Sequence, residues 1–212
     1  IVLNNATNIT STGGNVTLNS ALTSTVAQTF QAGGLLTADA ITMGANNLTI
    51  TANDVALNGN ITGTGDLTLQ PYSSTRVVTL NYLANDGTNF NLSTAEIAKI
   101  IDGWNVINIG RTNSSVMFYA GNTAWTDSIN FRSNYSKNIV GTLSVTGGSN
   151  ITITNSADLF STVTTDGGSF TVTGSIYGYN GTVNTNNGAV TMGSLVTYST
   201  GGGLSINSGN GN

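Results

Sequence analysis

The chain has 212 residues, only 7% of them charged, with a net charge of −4 and no Cys or His. This excludes a disulfide framework, thiolate or imidazole metal sites and His-based acid–base catalysis, and the negative balance disfavours nucleic acid as a partner. No run is long and apolar enough for a membrane helix, so no membrane insertion is expected, and a start at Ile1 reads as a mature or excised piece of a longer protein.

In chain order, Ile1-Val2-Leu3 reads as a strand that begins at once. Gly14-Asn15-Val16-Thr17-Leu18, Leu48-Thr49-Ile50 and Leu67-Thr68-Leu69 each give the pattern apolar, Thr, apolar after a Gly/Asn-rich turn. Side chains alternate faces along a strand, so the apolar residues point one way and the Thr the other. The repeat is clearest near the end of the chain. Thr162 to Val172 and Thr182 to Met192 match position by position at an offset of about 20 residues, each a strand, an Asp/Asn-Gly turn and a second strand. Gly148 to Ile153 and Gly203 to Ile206 are further copies. Such short apolar strands cannot bury themselves singly. Stacked at about 4.8 Å per rung they form continuous inner columns, with Ile151, Phe170 and Val190 in one and Ile153, Val172 and Met192 in the next. Val163, Val183, Ile176 and Leu195 supply other sides of the rung. The expected fold is all-β, a right-handed parallel β-helix (β-solenoid) with rungs of about 20 residues. Near-identical consecutive units weigh against a β-sandwich.

Residues 71–141 interrupt the repeat between solenoid segments 1–70 and 142–212. All five basic residues and both Trp fall there. Ser93-Thr94-Ala95-Glu96 is a capping box that predicts a helix over about 94–102, with Ile97, Ile100 and Ile101 against the wall and a stop at Gly103. Trp104, Tyr119, Trp125 and Tyr135, with Arg111 and Arg132, are candidates for a ligand or lateral-contact surface, the alternative being that the aromatics are core.

Ile1-Val2-Leu3-Asn4-Asn5, Gly65 to Pro71, Asn89-Phe90-Asn91-Leu92-Ser93 and the block from Asp102-Gly103-Trp104 to Ile109-Gly110-Arg111 resemble large bacterial exoproteins of the filamentous haemagglutinin type. The resemblance spans the chain and is most specific in the helix-to-Ile-Gly-Arg block. It implies a secreted β-helix of the cell surface, used for adhesion, biofilm or fibres, and concerns the shaft. It supplies no catalytic motif.

No catalytic, cofactor or metal residues are expected. The nine acidic residues do not recur at rung spacing. Asp158 and Asp166 are the pair that could approach, and a catalytic pair demands tight geometry. Gly63-Thr64-Gly65-Asp66 and Asp166-Gly167-Gly168 are near misses to calcium-solenoid repeats. Thr49/Thr51, Thr152/Thr154 and Thr171/Thr173 should face outward, as an ice-binding solenoid requires, although Thr68 with Gln70 and Thr17 with Asn19 break the array. The expected function is therefore a non-catalytic structural or adhesive segment of an extracellular solenoid. Its partners would be further copies or rungs through Val2, Leu3, Leu204 and Ile206, and surface glycans or a host surface. A carbohydrate-binding or carbohydrate-cleaving β-helix is the alternative, and an ice-binding solenoid the second alternative.

Overall fold

In a computed structural model, residues 1–84, 87–197 and 203–209 are described. Nearly every strand pair is parallel and joins residues about 20 apart, giving a β-solenoid of about 10 turns with three faces. The first face carries an inner column that runs Ile9, Phe30, Ile50, Leu69, Ile109, Phe131, Ile153, Val172 and Met192, each in register with the next. Beside it run Leu48, Leu67, Ile107, Ile129, Ile151, Phe170 and Val190. Both expected columns are thus present. Between them an outward column reads Asn8, Thr29, Thr49, Thr68, Asn108, Asn130, Thr152, Thr171 and Thr191. β-Branched Thr suits this exterior, since it packs along a pleated surface and keeps its hydroxyl toward water.

The high Asn content has a physical role at the corners. The Asn15 side-chain oxygen accepts from the Leu35 amide at 2.9 Å, Asn47 from Asp66 at 2.8 Å, Asn53 from Ser73 at 3.1 Å, Asn122 from Thr142 at 2.8 Å and Asn150 from Ser169 at 2.7 Å. Each bond reaches one rung up the stack and satisfies a corner amide that the ladders leave unpaired. At one of these corners the backbones leave no room for a side chain. A Cβ on Gly168 would lie 1.8 Å from the Ser149 carbonyl oxygen, and one on Gly188 1.8 Å from that of Gly168.

The chain leaves the stack after Asp66–Gln70 and returns at Val106–Gly110, and these two strands are neighbours on the first face. First-face stacking therefore resumes at Val106, within the interval 71–141 that composition marks as different. Arg111 fastens the junction, since its guanidinium donates to the carbonyls of Pro71, at 3.2 Å, and Tyr72. The excursion adds strands Val78–Leu80 and Phe90–Leu92 to the second face, where Val78 pairs with Phe118. The helix α1, Thr94–Ile97, has the expected capping box at Ser93 and Glu96. It ends at Ile97, short of the expected 102, because the next residues are drawn into the solenoid. Ile61 donates to the Lys99 carbonyl at 2.8 Å, and Ile101 donates to that of Ile61 at 3.1 Å. Pairing with a waiting edge wins over one more helical turn, which has little stability by itself.

Candidate functional site

The third face is built as two sheets. Val2–Leu3, Leu22–Ser24, Ile41–Thr42 and Ile61–Thr62 form the lower one, topped by the bridge from Ile61 to Ile100. Thr123–Trp125, Leu143–Val145, Thr162–Thr165, Thr182–Asn184 and Ser205–Asn207 form the upper one. The first face runs past this break without interruption, through Leu67, Ile107 and Ile129. The seam is therefore held open as a cleft of about 340 Å³ between Ile97–Asp102 below, Asn122–Asp127 above and Ile107 behind. Its walls are mostly aliphatic. A second recess of about 380 Å³ adjoins it, shares Thr94, Asn122, Thr123 and Ala124, and adds Thr142 and Ser144.

Two carboxyl groups meet in the cleft. Asp127 is buried and accepts from the Gly103 amide at 2.9 Å, and the Asp102 carboxyl lies close enough to act on it electrostatically. Burial pushes its pKa up to about 6, the Gly103 and Trp104 amides oppose this, and the neighbouring Asp102 charge adds to it.

The pair also sets a pH dependence. The folded pKa of Asp127 lies above the usual carboxylate value. The stability it contributes is therefore complete below about pH 4 and is lost as pH rises through about 6. In Asp127→Asn this loss should vanish: chemical denaturation at pH 4 and pH 7 should show a smaller drop for the variant than for wild type.

Two residues of the upper wall carry buried polar atoms that have no partner among the described residues. Thr123, 6% exposed, and Trp125, 4% exposed, have buried Oγ1 and Nε1 atoms without a hydrogen-bond partner. Buried donors are rarely left so.

The residues expected to form a ligand surface do not come together. Trp104 and Trp125 are core: the Trp104 ring lies over Gly63, where any Cβ would be 2.5 Å from it. Burying their large apolar area outweighs exposure as a platform. Tyr119 lies half-buried on the second face and stacks on Tyr82 at 5.0 Å, while Tyr135 projects from a corner loop. Arg111 is occupied at the junction described above. Burial lowers the pKa of Arg132, and the charge of Asp66 opposes this. Asp158 and Asp166 belong to different faces. Asp158 accepts from Ser136 at 2.5 Å, and Asp166 accepts from Asn186 at 3.2 Å. Of the outward Thr pairs, Thr51 is instead buried, with the Gln70 side chain donating to its hydroxyl at 2.9 Å. Its column reads Thr10, Gln31, Thr51 and Gln70. Sequence reasoning missed the Asp102–Asp127 pair. The available signal was the mirrored spacing of Asp102-Gly103-Trp104 and Trp125-Thr126-Asp127.

The residues expected to make end-to-end contacts differ in exposure. Val2 is 66% exposed and Ile206 41%, whereas Leu3 and Leu204 are partly buried against the core. The chain matches no family model, no curated protein and no solved structure.

Proposed function

We propose that the chain is a non-catalytic structural segment of an extracellular β-solenoid, a shaft that continues end to end through further rungs and presents its sides for adhesion. One observation carries this reading: among the described residues, the third-face end strands Val2–Leu3 and Ser205–Asn207 each keep an outer edge that pairs with no further strand. At the lower end, Ile1 and Leu3 spend their backbone bonds inward, as Thr23 donates to the Ile1 carbonyl at 2.8 Å and Thr25 to that of Leu3 at 3.1 Å. The Val2 amide and carbonyl therefore face away from the stack. At the upper end, Ser205 donates to Gly181 at 3.0 Å and the Asn207 carbonyl accepts from Thr185 at 3.0 Å, so those of Ile206 face away. Unpaired edges of this kind template further pairing, and the low charge of the chain opposes it little. The resemblance to filamentous haemagglutinin-type exoproteins and the Thr/Asn exterior support an extracellular setting.

Val2→Pro and Ile206→Pro each remove an outward amide and leave the inward bonds intact. Sedimentation of the isolated chain should show mass growing with concentration, less growth in either variant, and a monomer in the double variant with an unchanged far-ultraviolet spectrum. Wild type that stays monomeric at all concentrations contradicts the reading.

A further inference from the structure

The seam has a cause in the strand count. Between the strands Leu48–Leu57 and Val106–Gly110, the first face holds one strand, Asp66–Gln70. The second face holds two over the same interval. Phe90–Leu92 is the lower, with the Asn91 amide donating to the Asp54 carboxylate at 3.1 Å, and Val78–Leu80 sits on it beneath Phe118–Ala120. The chain enters the lower third-face sheet at Ile100 from Phe90–Leu92, and the upper one at Thr123 from Phe118–Ala120. Those two strands lie two levels apart, so the edges they feed stand about 9–10 Å apart at this corner, twice the usual strand spacing. The middle level ends at Asn81. Its amide donates to the Leu92 carbonyl at 2.8 Å and its side chain to that of Asn122 at 2.7 Å, and the chain then turns out of the rung, with Tyr82 stacked on Tyr119. At the far end of the seam the edges close, where Gly103 donates to Asp127. The cleft is therefore the place of one strand, tapering along its length.

Both walls present the backbone groups that such a strand needs. Thr123 donates upward to the Thr142 carbonyl at 2.9 Å and the Trp125 carbonyl accepts from Thr146 at 3.1 Å, so the amide and carbonyl of Ala124 between them point down into the cleft. From below, Ile61 donates to Lys99 at 2.8 Å and accepts from Ile101 at 3.1 Å, which turns the Ile100 carbonyl up. None of these three groups has a partner among the described residues. Ile97, Ile100 and Ile107 line the cleft, and Asp102 and Asp127 stand at its narrow end. We propose that the seam cleft takes up an extended peptide by strand addition, parallel to Thr123–Trp125, with an apolar side chain toward Ile107 and a Lys or Arg after it. Main-chain bonds hold a strand added in this way, and the pockets beside it select its side chains. A parallel strand runs its carboxyl end toward Asp102 and Asp127, where a cation meets opposite charge. This goes beyond the shaft reading and does not depend on it.

The test is titration of the ¹⁵N-labelled chain with the peptide acetyl-Asn-Val-Thr-Val-Lys-amide, read at the Ala124 amide by chemical shift and hydrogen exchange. In the free protein this amide should exchange freely while that of Thr123, bonded to Thr142, is protected. The peptide should shift the Ala124 resonance saturably and slow its exchange about tenfold or more. The same peptide with its backbone nitrogens methylated cannot donate to Ala124 or Ile100 and should bind about tenfold or more weakly. Glu in place of its Lys should also weaken binding, by about threefold or more. The proposal is overturned if the peptide leaves Ala124 unchanged, if the methylated peptide binds as well as the parent, or if the Glu peptide binds as well as the Lys peptide. An Ala124 amide protected in the free protein at every dilution means that the chain fills the seam itself, and protection that appears only at high concentration means that a second copy does. Either result overturns the proposal too. None of these results touches the end-to-end stacking, which sedimentation reads separately.

Discussion

Replacing Phe170 by Ala should lower the unfolding free energy by about 3–5 kcal/mol, as for large aromatic truncations in a close-packed core. Phe170 is 0% exposed and sits in register between Ile151 below and Val190 above. Backbone ladders fix the spacing of rungs at about 4.8 Å, so neighbouring rungs cannot close on the space left behind, and the cavity term is kept in full. The next residue gives the contrast. Thr171 lies in the outward column between Thr152 and Thr191. Thr171→Ala removes a hydroxyl and a methyl from the surface and should change stability by only about 0.5 kcal/mol. Guanidinium titration of the two variants reads the difference directly. Equal losses would mean that the inside and outside of the rung are wrongly assigned.

The second large effect belongs to Lys137. This residue occupies the inner column of the second face, between Phe118 and Ala157, and is 0% exposed. Its Nζ donates to the carbonyls of Ser133 at 2.7 Å, Tyr135 at 2.9 Å and Thr154, so it ties down the corner that precedes its own strand. Burial pushes its pKa down to about 7, well below that of an unfolded chain. Between these two values the unfolded state binds the extra proton, so stability rises with pH from about 7 toward about 10.5 and is flat below 7. Lys137→Met keeps the length of the side chain and removes both the titration and the three bonds. The stability of wild type over the variant should widen by about 2–4 kcal/mol between pH 7 and pH 10, the limit being about 1.4 kcal/mol per pH unit. A constant gap across that range would show that the amine stays a full ammonium ion in the fold.

The rungs were legible in the sequence because their period is strict and their apolar residues alternate with Thr. Ile151, Phe170 and Val190 could be aligned by eye, and the register follows. The middle of the chain was harder for three physical reasons. Propensity and capping are local, so they located the start of α1 at Ser93 but could not foresee that Lys99–Ile101 would pair with Ile61. Charge is a poor guide to burial when backbone carbonyls converge, and nothing around Lys137 marks it as an interior residue. Third-face strands of two or three residues carry too little pattern to reveal where one sheet ends and the next begins. The cleft between them, with Asp102 and Asp127 brought together across 25 positions, followed only from the tertiary arrangement.

The most direct measurement is the length of the native particle in electron micrographs. About 10 turns at roughly 4.8 Å give a rod of roughly 50 Å. A shaft that continues through its end rungs should appear as rods of uniform width well beyond that length, and Val2→Pro with Ile206→Pro should shorten those formed by the isolated chain. Discrete particles about 50 Å long, unchanged by either substitution, would contradict it.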